Sequence, residues 1–312
     1  MAVKILLTGG AGFVGRAVAR KLRSDGLEYV AIDQNAGTID GHDVVDCDVR
    51  DTHRLHDLAA RHGFDAIAHC AGYSGPMLGQ DNPAAVIAAN VGGTANLLEV
   101  ARVHSIDRFV FCSSVSAVGP TSAPTTEEVV PHPTTVYGAT KAASEDLIVA
   151  YGCTYGITTV NLRLAAVWGP GRNTVCALGT MINDAMEGKE TVFERGSDFP
   201  TQYLHIEDAA QAIVLALNAT GPVQSTYNIN GGEYMTFSAV AEQVRSILPE
   251  AKISIGPGSD PLYDWQEPFK ISAARRDLDF EPQVSLKAGI KAFADAITNH
   301  TERDVPAFEP TS

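Results

Sequence analysis

Apolar residues along the chain fall into two kinds of stretch. Runs of strand length recur at Ile5–Leu7, Tyr29–Ile32, Asp43–Val45, Phe64–Gly72, Arg108–Cys112 and Thr158–Arg163. Between them the apolar positions return every three or four residues, predicting helices over Arg16–Arg23, Thr52–His62, Ala84–Val103 and Tyr137–Tyr155. This alternation of strand and helix makes an α/β chain. Beyond residue 163 it loosens. A helix near Leu178–Glu187, an amphipathic helix over His205–Ala219 with Glu207 and Asp208 at its polar start, and a helix at Phe237–Leu248 are joined by strands at Thr226–Ile229 and Ile253–Ile255. These predict a smaller α/β piece. The tail from Thr301, with Pro306, Pro310 and mixed charge, is expected to be loosely held.

The first strand runs into Thr8-Gly9-Gly10-Ala11-Gly12-Phe13-Val14-Gly15, and Phe13, Val14, Ala17, Val18 and Leu22 give the next helix one apolar face. The glycines serve distinct ends. Gly9 turns the strand tightly, Gly12 lets backbone N–H groups approach a pyrophosphate, and Gly15 lets helix pack on strand. The helix N-terminus adds unpaired donors and a positive dipole end. Strand before and helix after are the context in which such a turn binds a dinucleotide. The second strand ends at Asp33, 24 residues after Gly9, where an acid meets the adenosine ribose. A carboxylate there accepts from two ribose hydroxyls and repels a 2′-phosphate. Gln34 and Asn35 follow with no Arg or Lys, so NAD is favoured over NADP. Asp48 is placed to accept from the adenine amino group, with Val49 packing on the ring.

Composition narrows the class. The chain of 312 residues is 45% hydrophobic and 19% charged with 28 glycines, which suits an α/β enzyme rich in tight turns. A formal charge of −14 argues against a nucleic-acid or anionic-membrane partner, since both need clustered cations. No run approaches the ~18 apolar residues of a membrane span. Five dispersed cysteines without a C-x-x-C pair fit reduced thiols in the cytoplasm. His53, His56 and His62 gain no Cys or carboxylate at ligand spacing, so no metal site is expected and they form a solvated helix face.

Tyr137 and Lys141 stand four apart and share one helix face. An ammonium beside a phenol favours the phenolate, and Lys141 can also bind a nicotinamide ribose. A Ser hydroxyl from Ser113-Ser114-Val115-Ser116 stabilises charge on the substrate oxygen from the other side. Together these predict a hydride-transfer site with Tyr137 moving the hydroxyl proton.

Thr8–Gly15, Asp33, Asp48, Asn90–Thr94, Ser113–Gly119, Tyr137–Lys141, Trp168-Gly169-Pro170-Gly171 and His205–Asp208 together resemble the extended short-chain dehydrogenase/reductases, the NAD-dependent epimerase/dehydratase family. The resemblance covers about residues 3–298. It implies a Rossmann-type doubly wound parallel sheet over residues 1–166 and a smaller C-terminal α/β substrate domain over 167–300. The helix over 205–219 would pack back on the first domain, and 301–312 would be tail. It makes Ser114, Tyr137 and Lys141 the catalytic set. It gathers Gly9, Gly12, Phe13, Val14, Gly15, Asp33, Gln34, Asp48, Val49, Ala71, Gly72 and Asn90 around NAD, and suggests a homodimer through the helices at 84–103 and 137–155. Ser74, Ser116, Trp168 and Asn173 are the candidate substrate contacts, with Thr174, Tyr263, Trp265 and Gln266 further candidates; an aromatic at these positions could equally be interdomain core.

The departures concern the substrate. Nucleotide-sugar epimerases of this family usually carry Arg-x-x-Asn after the strand at 160, where Arg163-Leu164-Ala165-Ala166 ends in Ala166. They usually place an Arg four residues before the His of the His205 motif; Thr201 stands there. UDP-galactose 4-epimerases carry a Lys that grips NAD, at the place of Ser74, and the Asp-Glu pair of dehydratases is here Val115-Ser116. A diphosphate without its arginine clamp binds poorly, although Arg172, Arg195 or Arg275 could compensate. The leading expectation is an NAD-dependent oxidoreductase acting on a secondary alcohol of a sugar, sugar acid or small polyol. The alternative is a nucleotide-sugar (UDP-hexose) 4-epimerase that retains its NAD. A non-catalytic dinucleotide sensor has less need of both Tyr137 and Lys141.

Overall fold

The structure, a computed structural model, describes residues 3–300 apart from Pro222 and Pro261; the expected loose tail lies outside the described residues. In chain order its first half contains β1 (Lys4–Thr8), α1 (Phe13–Ser24), β2 (Glu28–Asp33), β3 (Gly37–Ile39), β4 (His42–Asp46), α2 (Thr52–His62) and β5 (Ala66–His69). Then come α3 (Pro83–Ile87), a π-helical turn at Ala88–Gly92, α4 (Gly93–Val103), β6 (Arg108–Ser114), α5 (Val136–Tyr155) and β7 (Thr158–Leu164). Eight strands form one sheet in the order β12-β7-β6-β5-β1-β2-β4-β3, with β12 at Thr226–Ile229. All neighbours are parallel except β3 and β4. The order reverses beside β1, which has β2 on one side and β5 on the other, leaving a crevice at the carboxyl ends.

The pleat explains the layers. Ile5 and Leu7 point to one face of β1 and Leu6 to the other, and all three are fully buried. The Ile5/Leu7 face is covered by α1, by α7 (Ile206–Asn218) and by α9 (Ser272–Leu278); the Leu6 face by α2, α4 and α5. The second half adds β8 (Ala166–Trp168), α6 (Ala177–Met186), β9 (Glu190–Phe193), β10 (Pro200–Thr201) and β11 (Tyr203–His205). Further on are β13 (Met235–Thr236), α8 (Phe237–Ile247), β14 (Lys252–Ile255) and α10 (Leu286–His300). Its three two-stranded sheets are β10–β13, β11–β8 and β14–β9. A separate apolar cluster joins Trp168, α6, α8 and α10.

Several elements differ from expectation. The helix after the glycine turn starts at Phe13, three residues before the predicted Arg16, because Gly12 caps it. The stretch Ala84–Val103, expected as one α-helix, begins at Pro83 and widens into the π turn around Asn90. By length and composition alone, with a mean hydropathy of 1.3 over a membrane-length window, this stretch could cross a membrane, although Asn90, Thr94, Asn96, Glu99 and Arg102 interrupt its apolar residues. Its inner face, with Val86, Thr94, Leu97, Leu98 and Ala101, is buried in the fold. Of the α2 histidines, His53 is exposed, His62 stacks on Phe64 and His56 pairs with His104 at 3.0 Å.

Candidate active site

The crevice holds a cavity of about 810 Å³ along the carboxyl edge of the sheet. At one end Gly9 takes φ +72°, and the Gly12 amide donates to the Gly9 carbonyl at 2.9 Å. A Cβ on Gly15 would lie 1.9 Å from that carbonyl oxygen, so only glycine lets α1 start this close to the turn. Gly12 caps α1 without a side chain, leaving the first-turn amides to an anion. Asp33 ends β2 beside this turn. Its carboxylate accepts from the Ala11 and Asn35 amides at 3.2 and 3.0 Å, which fixes it at the rim. Asp48 faces the same end. Hydrogen bonds from Arg50, two from the guanidinium to one oxygen among them, hold its carboxyl below the usual carboxylate range. Arg50 itself lines the cavity and was not anticipated from the sequence.

At the other end β6 delivers the serines. Ser114 caps a short 3₁₀ turn by accepting from the Ser116 amide at 3.1 Å, and both side chains line the cavity. Ser113, on the opposite side of the pleat, turns away and donates to Glu145. Thr135 caps α5 by accepting from the Gly138 amide at 3.0 Å. A Cβ on Gly138 would sit 2.3 Å from the Ser116 carbonyl oxygen. That glycine is what brings α5, and so Tyr137, against the serine loop. Lys141 is 6% exposed; its Nζ donates to the Cys112 carbonyl at 2.7 Å, 4.5 Å from the Phe111 ring centroid. Its ammonium lies 5.9 Å from the Tyr137 ring centroid. Phenol, ammonium and serine hydroxyl therefore converge on one cavity.

Gly9, Gly12, Phe13, Val14, Gly15, Asp33, Gln34, Asp48, Val49, Ala71, Gly72, Ser74, Ser114, Ser116, Tyr137, Lys141 and Asn173 all line that cavity. Asn90 and Trp168 do not. Asn90, expected at the cofactor, is buried behind it: its Oδ1 accepts from the Tyr73 amide at 2.8 Å and its Nδ2 donates to Thr140 at 3.0 Å. It ties the loop after β5 to α5. Trp168, expected at the substrate, is 2% exposed and packs edge-on against Tyr203 and His205, with Gly289 so close that a Cβ would lie 2.7 Å from the indole. It is core. Tyr263 and Gln266 reach the cavity, where burial pushes the Tyr263 phenol up to about 12.

Behind the site lies a polar cluster that sequence reasoning missed. His69 is fully buried between the hydroxyls of Thr8 at 2.8 Å and Thr94 at 3.0 Å. Burial, and then the Lys141 charge, push its imidazole down to about 3. Its ordinary value is near 6.5, so the unfolded chain takes up a proton in falling pH while the fold does not. Stability is whole above about pH 6.5 and falls by about 1.4 kcal/mol per pH unit below it, down towards pH 3. Thermal unfolding followed from pH 7 to pH 5 is expected to show this slope, and His69→Gln to flatten it while lowering Tm at pH 7. An unchanged slope would remove His69 as its source. Next to it, Cys70, just past the end of β5, and Cys112 on β6 bring their sulfurs 3.2 Å apart; the shared hydrogen bond and burial raise the Cys70 thiol.

Three comparisons show what the chain is similar to. The profile of the NAD dependent epimerase/dehydratase family matches residues 5–230. The UDP-glucose 4-epimerase of Corynebacterium glutamicum is 30% identical over 270 residues, 78% of this chain and 80% of that one. Among solved structures, the UDP-glucose 4-epimerase of Thermotoga maritima with UDP-glucose superposes with a TM-score of 0.87 at 23% identity, covering 96% of this chain and all of that one. The UDP-glucuronic acid 4-epimerase of Bacillus cereus with UDP-glucuronic acid and NAD gives 0.85 at 25% identity, covering 95% and 99%. The chain belongs to the NAD-dependent epimerase/dehydratase family, has its Rossmann-like fold and is an NAD-dependent enzyme. The turn of Gly9, Gly12 and Gly15, which any Cβ at 15 would fill, fits that cofactor.

Proposed function

We propose that this member of the family is an oxidoreductase that exchanges hydride between NAD and a secondary alcohol carbon of a small sugar, sugar acid or polyol. The observation that carries the reading is the substrate end of the cavity. Ala166 and Thr201 line it at the positions where nucleotide-sugar epimerases of the family usually carry Asn and Arg, and Asp260 and Asp264 add negative charge. A diphosphate entering there would meet carboxylates in place of a clamp.

The Gly9–Gly15 turn would hold the pyrophosphate, Asp33 the adenosine ribose, Asp48 and Val49 the adenine, and Lys141 the nicotinamide ribose. NAD, when bound, supplies the hydride acceptor. Tyr137 Oη takes the hydroxyl proton, the Lys141 ammonium stabilises the negative charge on that oxygen, and Ser114 Oγ donates to the substrate oxygen. Residues 1–166 form the cofactor part and 167–300 the substrate part, with α7 returning to the former. Ile87, Val103 and Tyr155, exposed on the α3–α4 and α5 helices, are the apolar positions through which two chains would pair as a homodimer. Dispersed free thiols suit the cytoplasm.

The names of the relatives favour the second reading, a UDP-hexose 4-epimerase. The two separate in one assay. With added NAD, absorbance at 340 nm is expected to rise with sugars, sugar acids or polyols. Interconversion of UDP-hexoses without NADH release would establish the epimerase instead.

A further inference from the structure

The charges lining the cavity sort themselves along its length. Among the described residues, the cations on its wall are Arg50, Lys141 and Arg172. Arg50 is held by Asp48, with a guanidinium N–H···O distance of 2.5 Å. Lys141 is buried against the Cys112 carbonyl beside Tyr137. Arg172 alone faces the substrate end. Its Nε donates to Thr174 Oγ1 at 2.9 Å and its Nη1 to the Val167 carbonyl, while Nη2 has no partner and no carboxylate lies within ion-pair distance, among the described residues. The loop that presents it is pinned from the other lobe: Arg16 Nη2 donates to the Gly171 carbonyl at 2.6 Å. Tyr137, Arg172 and Tyr263 line the same cavity.

A half-buried guanidinium, pre-positioned and without a counter-ion, recognises the paired oxygens of a carboxylate or phosphate. Resting on the oxidoreductase reading above, we propose that Arg172 binds the carboxylate of the substrate, and that the substrate is a polyhydroxylated monocarboxylate whose secondary alcohol reaches Tyr137. Two features exclude a larger anion. One guanidinium cannot neutralise a diphosphate, and Asp260 and Asp264, which also line the cavity, add negative charge rather than a second cation. Neutral sugars of the same shape leave the guanidinium desolvated and unpaired, which penalises them.

The test uses the full chain with NAD and pairs of probes matched in shape: D-glucuronate against D-glucuronamide, and D-gluconate against D-glucitol. Wild-type kcat/KM is expected to favour the carboxylate of at least one pair by about 10- to 100-fold. Arg172→Gln removes that preference by raising KM for the carboxylate and lowering it for the neutral partner, and keeps NAD affinity, read by protein fluorescence. Arg172→Lys restores part of it, since it keeps charge and loses the fork. Equal use of both members of each pair, or an equal loss in Arg172→Gln, overturns the assignment and leaves the oxidoreductase reading standing. UDP-hexose interconversion without NADH release overturns both. If no probe is turned over, thermal shift of the NAD-loaded protein decides: stabilisation by the carboxylates and not by their neutral partners supports the assignment, and its absence overturns it.

Discussion

Tyr137→Phe is expected to lower kcat by about 10²–10⁴-fold while leaving NAD affinity nearly unchanged. The ring is buried at the start of α5, held by the Thr135 cap and by the contact of Gly138 with the Ser116 carbonyl, so the phenylalanine keeps its place. On the proposed mechanism, what is lost is the oxygen that exchanges the substrate proton. Ser114→Ala, which removes a donor to the developing charge, is expected to cost about 10²–10³-fold. Steady-state NADH formation alongside a fluorescence titration with NAD separates the two quantities. A Tyr137→Phe protein that turns over at the wild-type rate would take the phenol out of the chemistry.

Arg163→Met is expected to cost about 3–5 kcal/mol of stability, the largest single loss predicted for this chain. Arg163 on β7 and Glu145 on α5 are each about 5% exposed, and the guanidinium meets both carboxylate oxygens, with Nη2 to Oε2 at 2.7 Å. Ser113 donates to the same carboxylate. Removing the arginine leaves a carboxylate without its cation in the layer between sheet and helix. In a chain of this size that corresponds to a fall in Tm of about 10 °C. Pairing Arg163→Met with Glu145→Leu removes both charges and is expected to recover most of the loss. Calorimetry checks both, and a single variant that melts with the wild type would show that the pair is dispensable. Because Glu145 lies one helical turn beyond Lys141, the same ion pair also fixes the face of α5 that carries Tyr137.

Local chemistry was legible wherever one short segment carried it. The glycine turn, the acid ending β2 and the four-residue spacing of Tyr137 and Lys141 each state their purpose within a few residues, and the structure gathers them on one cavity. Contacts between distant segments were not. Trp168 ends a strand before a glycine-rich turn and reads as a pocket rim; its burial depends on Gly289, far along the chain. The π turn at Asn90 has no compositional mark, since Ala-Ala-Asn-Val-Gly is an ordinary helical string. Other signals were present and passed over. Ile39-Asp40-Gly41-His42 is an Asp-Gly hairpin, with both central residues at positive φ, and it builds the antiparallel edge β3–β4. Leu286, Ile290, Phe293 and Ala294 carry the spacing of α10, and an arginine inside the apolar run of β7 implies a buried acid somewhere opposite.

The return of α7 and β12 to the large sheet has a consequence for how such a chain is divided. α7 lies on α1 within the same apolar cluster, and β12 closes the sheet beside β7, so two pieces from beyond residue 200 complete the part built by the first 166. A hybrid that joined residues 1–166 to the remainder of a relative would inherit a foreign edge strand and a foreign covering helix. The exchangeable unit is therefore not a contiguous length of polypeptide: a graft of new specificity would have to keep 206–229 native and replace the segments on either side.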